Sequence, residues 1–143
     1  MNEQEQGELE RALKQQETAR KPSYEALMVL MNHEVNEINE EGFDLLLDRA
    51  AEFADRLIDD MPEEYDAPLR YWYLELIGEA RTPDAIPVFD RELSNPDIYF
   101  RRMAAEGLRR LGTPDAIRIL QEAGVAPDVD PWDQGVPQLP GKA

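Results

Sequence analysis

Few residues in the 143-residue chain could carry out covalent or acid–base catalysis. The chain has one histidine, His33, two serines, Ser23 and Ser94, and no cysteine. A serine hydrolase needs a nucleophile held in a sharp turn within reach of a histidine base. Ser23 instead has the context of a helix N-cap, Ser94 that of a turn between helices, and His33 that of a helix boundary facing solvent. We therefore predict that the protein is not an enzyme.

The segment DVDPWDQG, residues 128–135, has a superficial likeness to the beginning of a calcium-binding loop. An EF-hand loop has an acid or amide at its fifth position, glycine at its sixth and glutamate at its twelfth. Here the corresponding residues are Trp132, Asp133 and Leu139. The sequence also lacks zinc-ligand spacing and a phosphate-binding glycine loop. We predict no metal site and no cofactor.

Carboxylates are abundant, and one set of them has helical spacing. The set consists of Glu41, Asp44, Asp48, Glu52, Asp55 and Asp59, in steps of 3, 4, 4, 3 and 4 residues. Apolar residues in the same region predict a long helix over about 42–60, so the six carboxylates are expected on its opposite face. No lysine lies among them to neutralise this face. Two interpretations stay open, a docking surface for a basic partner and a solvated helix face.

The overall charge narrows the choice of partner. The chain has 31 acidic and 15 basic residues, a formal net charge of −16, and residues 1–60 alone contain sixteen acids and six bases. Such a charge repels nucleic acid and anionic membranes on average, so we predict a protein partner of basic character and neither nucleic acid nor membrane. The first residues, MNEQEQGELE, lack the features of a secretory signal, and no apolar run approaches a membrane span. These features favour a cytoplasmic location.

Arginines near the end of the chain allow a different interpretation. They are Arg101, Arg102, Arg109, Arg110 and Arg118. A patch that binds phosphate or nucleic acid is one interpretation of this cluster. Pairing with nearby carboxylates such as Glu106 is the simpler one, and we expect it.

The pentapeptide TPDAI occurs twice, at 82–86 and 113–117, and marks an internal repeat of 31 residues. Apolar residues at i, i+3, i+4 and i+7 before each copy predict a helix. The threonine of each copy is suited to cap a second helix, and the proline after it to occupy the first helical position. Self-similarity at this period is typical of a solenoid of helical pairs.

The two TPDAI turns, together with Asp66, Arg70 and their counterparts Asp97 and Arg101, resemble HEAT-like repeats of the short bacterial kind found also in phycobilin-lyase-type proteins. The resemblance covers residues 66–124. It implies an all-α fold, a short right-handed solenoid of about three antiparallel helix pairs with an irregular C-terminal tail. It also implies that these four polar residues form a ladder of contacts between repeats, and that the inner face of the stack binds a partner.

Composition divides the chain into three segments. Residues 1–22 are predicted to be a polar segment or a weak helix. Residues 23–124 are predicted to form the repeat domain, which begins with a helix over about 23–38. Residues 125–143 are predicted to be a proline-rich extended tail. Aromatic residues that could anchor a partner where they are exposed are Tyr71, Trp72, Tyr73 and Trp132. For Trp132 we expect folding back over the exposed end of the last repeat, and a role as a partner anchor or a mobile side chain are the alternatives.

These observations together predict a non-enzymatic protein-binding module. Its most concrete version is a small acidic immunity or antitoxin-type protein that binds and neutralises a basic protein through its acidic helical surface. One alternative is a repeat scaffold or adaptor for a neutral partner. Another is a non-catalytic subunit of a lyase-like complex, completed by a second chain.

Overall fold

The computed structural model describes residues 2–18 and 21–125, and in these residues the fold is all-α, with eight α-helices and no strand. The helices are α1 (Glu3–Thr18), α2 (Tyr24–Met31), α3 (Asn36–Asp48), α4 (Ala54–Asp60), α5 (Ala67–Ala80), α6 (Ile86–Glu92), α7 (Ile98–Leu111) and α8 (Pro114–Glu122). Short 3-10 turns cover Met61–Glu63 and Pro83–Ala85. The predicted all-α class is confirmed.

The chain forms two compact units, which divide in sequence between Phe53 and Ala54. The first contains α1, α2 and α3, with α2 packed against both of the others. Leu27, Leu30 and Leu46 are fully buried within it. The segment limits predicted at 22/23 and 124/125 stay a prediction, and the tail from residue 126, with Trp132, lies outside the described residues.

The helix predicted over about 23–38 is wrong at its C-terminal end, because α2 stops at Met31 and α3 begins only at Asn36. The Val35 N–H donates to Nδ1 of His33 at 3.0 Å, and the side-chain amide of Asn39 donates to the His33 carbonyl oxygen at 3.0 Å. These bonds occupy backbone groups that a continuous helix would pair within its own ladder, and they therefore favour its interruption. The predicted apolar stripe thus continues on a second helix rather than on the same one.

The single helix predicted over about 42–60 is also wrong, because a turn at residues 49–53 separates α3 from α4. The ring of Phe53 packs edge-on against Tyr24 with a centroid distance of 5.3 Å. The guanidinium of Arg49 covers the same phenylalanine ring at 4.5 Å from its centroid. Burial of Phe53 in these contacts stabilises a turn that helical periodicity alone does not predict.

The second unit contains two repeats whose helices correspond one to one. α5 and α7 each have 14 residues, and both bounds of α7 lie 31 residues after those of α5. Each helix is N-capped by an aspartate, Asp66 accepting from the Leu69 N–H and Asp97 from the Tyr99 N–H. Each helix ends at a residue with a positive φ. This residue is Arg81 after α5, with φ of 51°, and Gly112 after α7, with φ of 62°.

The predicted role of TPDAI as a helix start is confirmed in both copies. The Thr82 hydroxyl accepts from the Asp84 N–H at 3.3 Å, and the Thr113 hydroxyl accepts from the Ala116 N–H at 3.2 Å. In the first copy the proline opens a 3-10 turn that leads into α6, whereas in the second it opens α8 directly. α7 packs against α5, α6 and α8, and therefore forms the centre of this unit.

Candidate protein-binding surfaces

All six carboxylates predicted to form one stripe are exposed to solvent. Glu41, Asp44 and Asp48 lie on α3, Glu52 lies in the turn after it, and Asp55 and Asp59 lie on α4. The prediction of one continuous helical stripe is wrong because the helix is interrupted. α3 and α4 therefore each have their own set of carboxylates.

Three of the six carboxylates lie on α3, and together with Glu37 of the same helix they form what we call the acidic face of α3. It consists of Glu37, Glu41, Asp44 and Asp48, spaced at i, i+4, i+7 and i+11 and all exposed. Within the described residues, Asp44 and Asp48 have no ion-pair partner, whereas Glu52 in the following turn pairs with Arg49. Like charges at this spacing destabilise a helix by a few tenths of a kcal/mol per pair. A cation bound to this face relieves that repulsion.

The predicted aromatic anchors have different environments. Tyr73 is only 7% exposed and belongs to the core, so its prediction as an anchor is wrong. The register of α5 explains this, because the fully buried Leu74, Leu76 and Ile77 lie on the same inward side. Tyr71 and Trp72 are half-buried instead. Trp132 lies outside the described residues.

Tyr71 and Trp72 line a cleft of about 390 Å³ between α5 and α7, which we call the α5–α7 cleft. Its walls are Ala67, Pro68, Tyr71 and Trp72 from α5, with Asp97, Tyr99 and Phe100 from the beginning of α7. The rings of Tyr71 and Phe100 are edge to face, 5.6 Å apart at an interplanar angle of 84°. Tyr99 is 58% exposed.

Tyr99 is not among the aromatic residues predicted as anchors, although one signal in the sequence points to it. The apolar stripe of α7 begins at Phe100 and continues with Met103 and Ala104, so Tyr99 falls outside it. An aromatic residue at a polar position of an amphipathic helix is expected to be exposed. No local pattern indicates that Tyr99 and Trp72 of the preceding repeat line the same cleft.

Charge and burial act together on two groups beside the cleft. The pKa of Tyr71 is raised above its ordinary value, first by burial and then by the negative charges of Glu75 and Asp97. Burial also raises the pKa of the Glu75 carboxyl, and the nearby charge of Arg110 opposes this rise only in part. Burial is therefore the main cause of the raised Tyr71 pKa, and the Glu75 and Asp97 carboxylates add negative charge near its hydroxyl.

The raised pKa of Glu75 predicts a pH-dependent contribution to stability. A carboxyl group with a higher pKa in the folded chain favours folding below its ordinary pKa, and this contribution is lost as the pH rises through the folded value. Glu75→Gln, which cannot ionise, is therefore expected to be more stable than the wild type at pH 7, with a difference that shrinks towards pH 4. Urea unfolding of both proteins at the two pH values measures this. A variant less stable at pH 7 would mean that attraction to Arg110 outweighs burial.

Arg70 stabilises the beginning of α5 and pairs with a buried acid. Its Nη1 donates to the carbonyl oxygens of Met61 and Glu64, at 3.0 Å each. Its Nη2 lies 3.1 Å from Oε1 of Glu92, whose side chain is almost fully buried. The equivalent Arg101 donates from Nη1 to the carbonyl oxygens of Asn95 and Pro96.

These contacts support a structural role for the four residues from which the resemblance was drawn. Asp66 and Asp97 cap their own helices, and the two arginines bind carbonyl groups of the segment before their own helix. The ladder of contacts from one repeat to the next stays a prediction.

Arginines of the last repeat pair with the protein's own carboxylates. Arg109 Nη2 and Arg110 Nε lie 2.5 Å and 3.0 Å from Oε1 of Glu106, a buried residue. Arg110 also reaches Glu79 of the preceding repeat at 3.4 Å. Arg118 pairs with two carboxylates of its own helix. This pairing leaves less positive charge available for a phosphate group than the sequence cluster suggested.

The residues considered for catalysis have structural contacts. The Ser23 hydroxyl caps α2 by accepting from the Ala26 N–H at 3.1 Å. His33 Nδ1 accepts from the Val35 N–H at 3.0 Å, and Ser94 is exposed after α6.

Within residues 2–18 and 21–125, no group of three or more side chains could hold a metal ion. No helix in this part of the chain is long and apolar enough to cross a membrane.

Repeated helix pairs with partly exposed grooves and charged faces define a helical-repeat interaction scaffold. The family model for HEAT repeats matches residues 54–131, more than half of the chain, and the chain belongs to this family. The resemblance to HEAT-like repeats is thereby confirmed, whereas the likeness to the phycobilin-lyase-type variety stays a prediction. No curated protein and no solved structure gives a match.

Proposed function

We propose that the protein is a non-enzymatic, cytoplasmic binding module for a basic protein, and most concretely an immunity or antitoxin-type protein that covers and neutralises its partner. Membership of the HEAT-repeat family supports a protein partner, because such stacks act mainly as binding surfaces. The observation that carries the basic character of the partner is the acidic face of α3. Four exposed carboxylates share that face, and no lysine lies among them.

Complementary charge favours such a complex in two ways. It speeds the encounter of the two proteins and it fixes their relative orientation. The net charge of −16 acts at long range, whereas the acidic face of α3 acts at contact. Both contributions weaken as salt screens them, so the affinity is expected to fall with ionic strength.

The double substitution Asp44→Asn and Asp48→Asn tests this proposal. We expect about fivefold weaker binding of the basic partner at low salt, since two exposed pairs contribute roughly 0.5 kcal/mol each. We also expect a smaller loss of affinity between low and high salt. Partners captured at low salt are identified by mass spectrometry, purified and titrated calorimetrically at two salt concentrations.

Two exposed carboxylates of the second unit provide the matched control. Glu63→Gln with Asp90→Asn changes the net charge by the same amount without altering any residue of α3, and it should leave most of the affinity intact. Equal losses in both double variants would mean that only net charge matters. Unchanged affinity and salt dependence in the α3 variant would refute the proposal.

An adaptor for a neutral partner is the second candidate function, and the α5–α7 cleft favours it. The cleft presents the half-buried Tyr71 and Trp72 and the exposed Tyr99 to a ligand, whatever the charge on the rest of the partner. Binding by an adaptor of this kind would resist salt. It would also be lost on substitution of the exposed Tyr99 rather than of the α3 carboxylates.

A further inference from the structure

We propose that the α5–α7 cleft binds the side chain of an arginine or lysine supplied by the partner. The assignment deepens the proposed function and rests on it, since it states which group of a basic protein is recognised and where. It concerns residues of the second unit, and none of them belongs to the acidic face of α3. The two surfaces can therefore be tested one at a time.

The first support is the aromatic lining. A guanidinium or ammonium group within about 6 Å of a ring centroid is attracted by the negative face of the ring. Tyr71, Trp72, Tyr99 and Phe100 surround the cleft. Phe100 is 5% exposed and holds Tyr71 in an edge-to-face contact, so this wall is formed before any ligand arrives. A preformed wall reduces the entropy lost on binding.

The second support is the charge around the same rings. Asp97 lines the cleft, and together with Glu75 it contributes to the raised pKa of Tyr71. None of the seven described residues that line the cleft is a lysine or an arginine. An anionic ligand would be repelled here, and an uncharged apolar one would leave the carboxylate without a cation. A positively charged side chain can form cation–π contacts with the aromatic rings and an ion pair with Asp97 at the same time.

The third support is size. A volume of about 390 Å³ lies within the range of roughly 300–1,000 Å³ usual for ligand sites. It accommodates one long basic side chain with part of its backbone, rather than a folded domain. The cleft therefore acts as a pocket for a single anchor residue, and contacts elsewhere provide the remainder of the interface.

The test uses a pair of blocked tripeptides, Gly-Arg-Gly and the same peptide with neutral citrulline in place of arginine. Each is titrated into the full-length ¹⁵N-labelled protein while the indole N–H signal of Trp72 is followed, after assignment with a Trp132→Phe variant. We expect saturable shifts with the arginine peptide and at least fivefold weaker binding of the citrulline peptide. Equal binding of the two, or no saturable shift at Trp72, overturns the proposal.

Two aspartates at the same position of successive repeats provide matched variants. Asp97→Asn keeps an N-cap oxygen but removes the charge from the cleft, so we expect about fivefold weaker binding of the arginine peptide and little change for citrulline. Asp66→Asn makes the same change at an N-cap that does not line the cleft, and should have no effect. Equal effects of the two variants would contradict the assignment.

The outcomes separate this inference from the proposed function. Peptide binding should be unchanged in the Asp44→Asn and Asp48→Asn variant. If that variant binds the basic partner more weakly but the Trp72 signal of the wild type does not shift with the arginine peptide, only the cleft assignment fails. If Trp72 responds to arginine but the α3 variant keeps full affinity for the partner, only the proposed role of the acidic face fails.

Discussion

Arg70→Met is expected to lower the free energy of unfolding by about 3 kcal/mol, the lower end of the cost of breaking a buried ion pair. The partner that it leaves behind, Glu92, is 3% exposed. The remaining bond from Asn95 Nδ2 to Glu92 Oε2, at 2.8 Å, does not neutralise the carboxylate. Two bonds to main-chain carbonyl oxygens before α5 are lost as well. Urea unfolding followed by circular dichroism measures the difference.

Arg101→Met is the matched control, since it lies 31 residues later at the same helical position. Arg101 donates to two carbonyl groups, and Glu92 has no counterpart in its contacts. Its replacement should therefore cost only about 1 kcal/mol. Equal costs for Arg70→Met and Arg101→Met would show that the buried carboxylate is not the source of the effect.

A double replacement checks the same argument from the other side. In Arg70→Met with Glu92→Leu, no charge is left buried without a partner. Replacement of a buried ion pair by apolar side chains is often neutral or stabilising. The double variant is therefore expected to recover most of the stability lost in Arg70→Met. A double variant no more stable than Arg70→Met would contradict this account.

Gly107→Ala is expected to destabilise the second unit by about 2 kcal/mol, although alanine is the better helix former. A methyl group at this position of α7 would lie 2.5 Å from Cζ and 2.6 Å from Cε1 of Phe89. The phenylalanine is 1% exposed, so its ring lies within the core and cannot move out into solvent without losing that burial. Overpacking of this kind outweighs the gain of about 1 kcal/mol from helix propensity. Thermal unfolding measures the difference.

Gly78→Ala is the control, because the same substitution on α5 meets no atom within 4 Å. It should raise stability by about 0.5–1 kcal/mol through the lower backbone entropy of the unfolded chain. In the first unit, an added Cβ at Gly42 would lie 2.5 Å from the Met31 backbone nitrogen, so Gly42→Ala should destabilise. Stabilisation by all three substitutions would show that helix propensity dominates and that the close contacts can relax.

Sequence reasoning was most successful where local signals and the 31-residue repeat agreed. The Thr82 and Thr113 caps are found as predicted, with a proline following each cap. Capping depends on a side chain and a backbone N–H two or three residues away, so it is encoded locally. Because the same capping signals occur in both copies of the repeat, the prediction of repeated helix pairs was strong. The match to the HEAT-repeat family confirmed the repeat.

The predictions of helix bounds and of exposed residues were wrong where a contact between distant residues overrides local periodicity. Helical spacing continues through residues 49–53, yet the packing of Phe53 against Tyr24, 29 positions earlier, favours a turn. Tyr73 was grouped with its aromatic neighbours by residue type, but the register of α5 turns it towards the core. Neither outcome follows from a window of neighbouring residues.

The sequence by itself determined the all-α class, the repeat and its caps, and the excess of negative charge, because these depend on composition and on bonds between near neighbours. Only the tertiary structure decided how the carboxylates are divided between α3 and α4, and that Tyr99 of one repeat completes a cleft with Trp72 of the other. The physical reason is that packing energy comes from side chains far apart in the chain. Which of them meet is settled when the helices assemble.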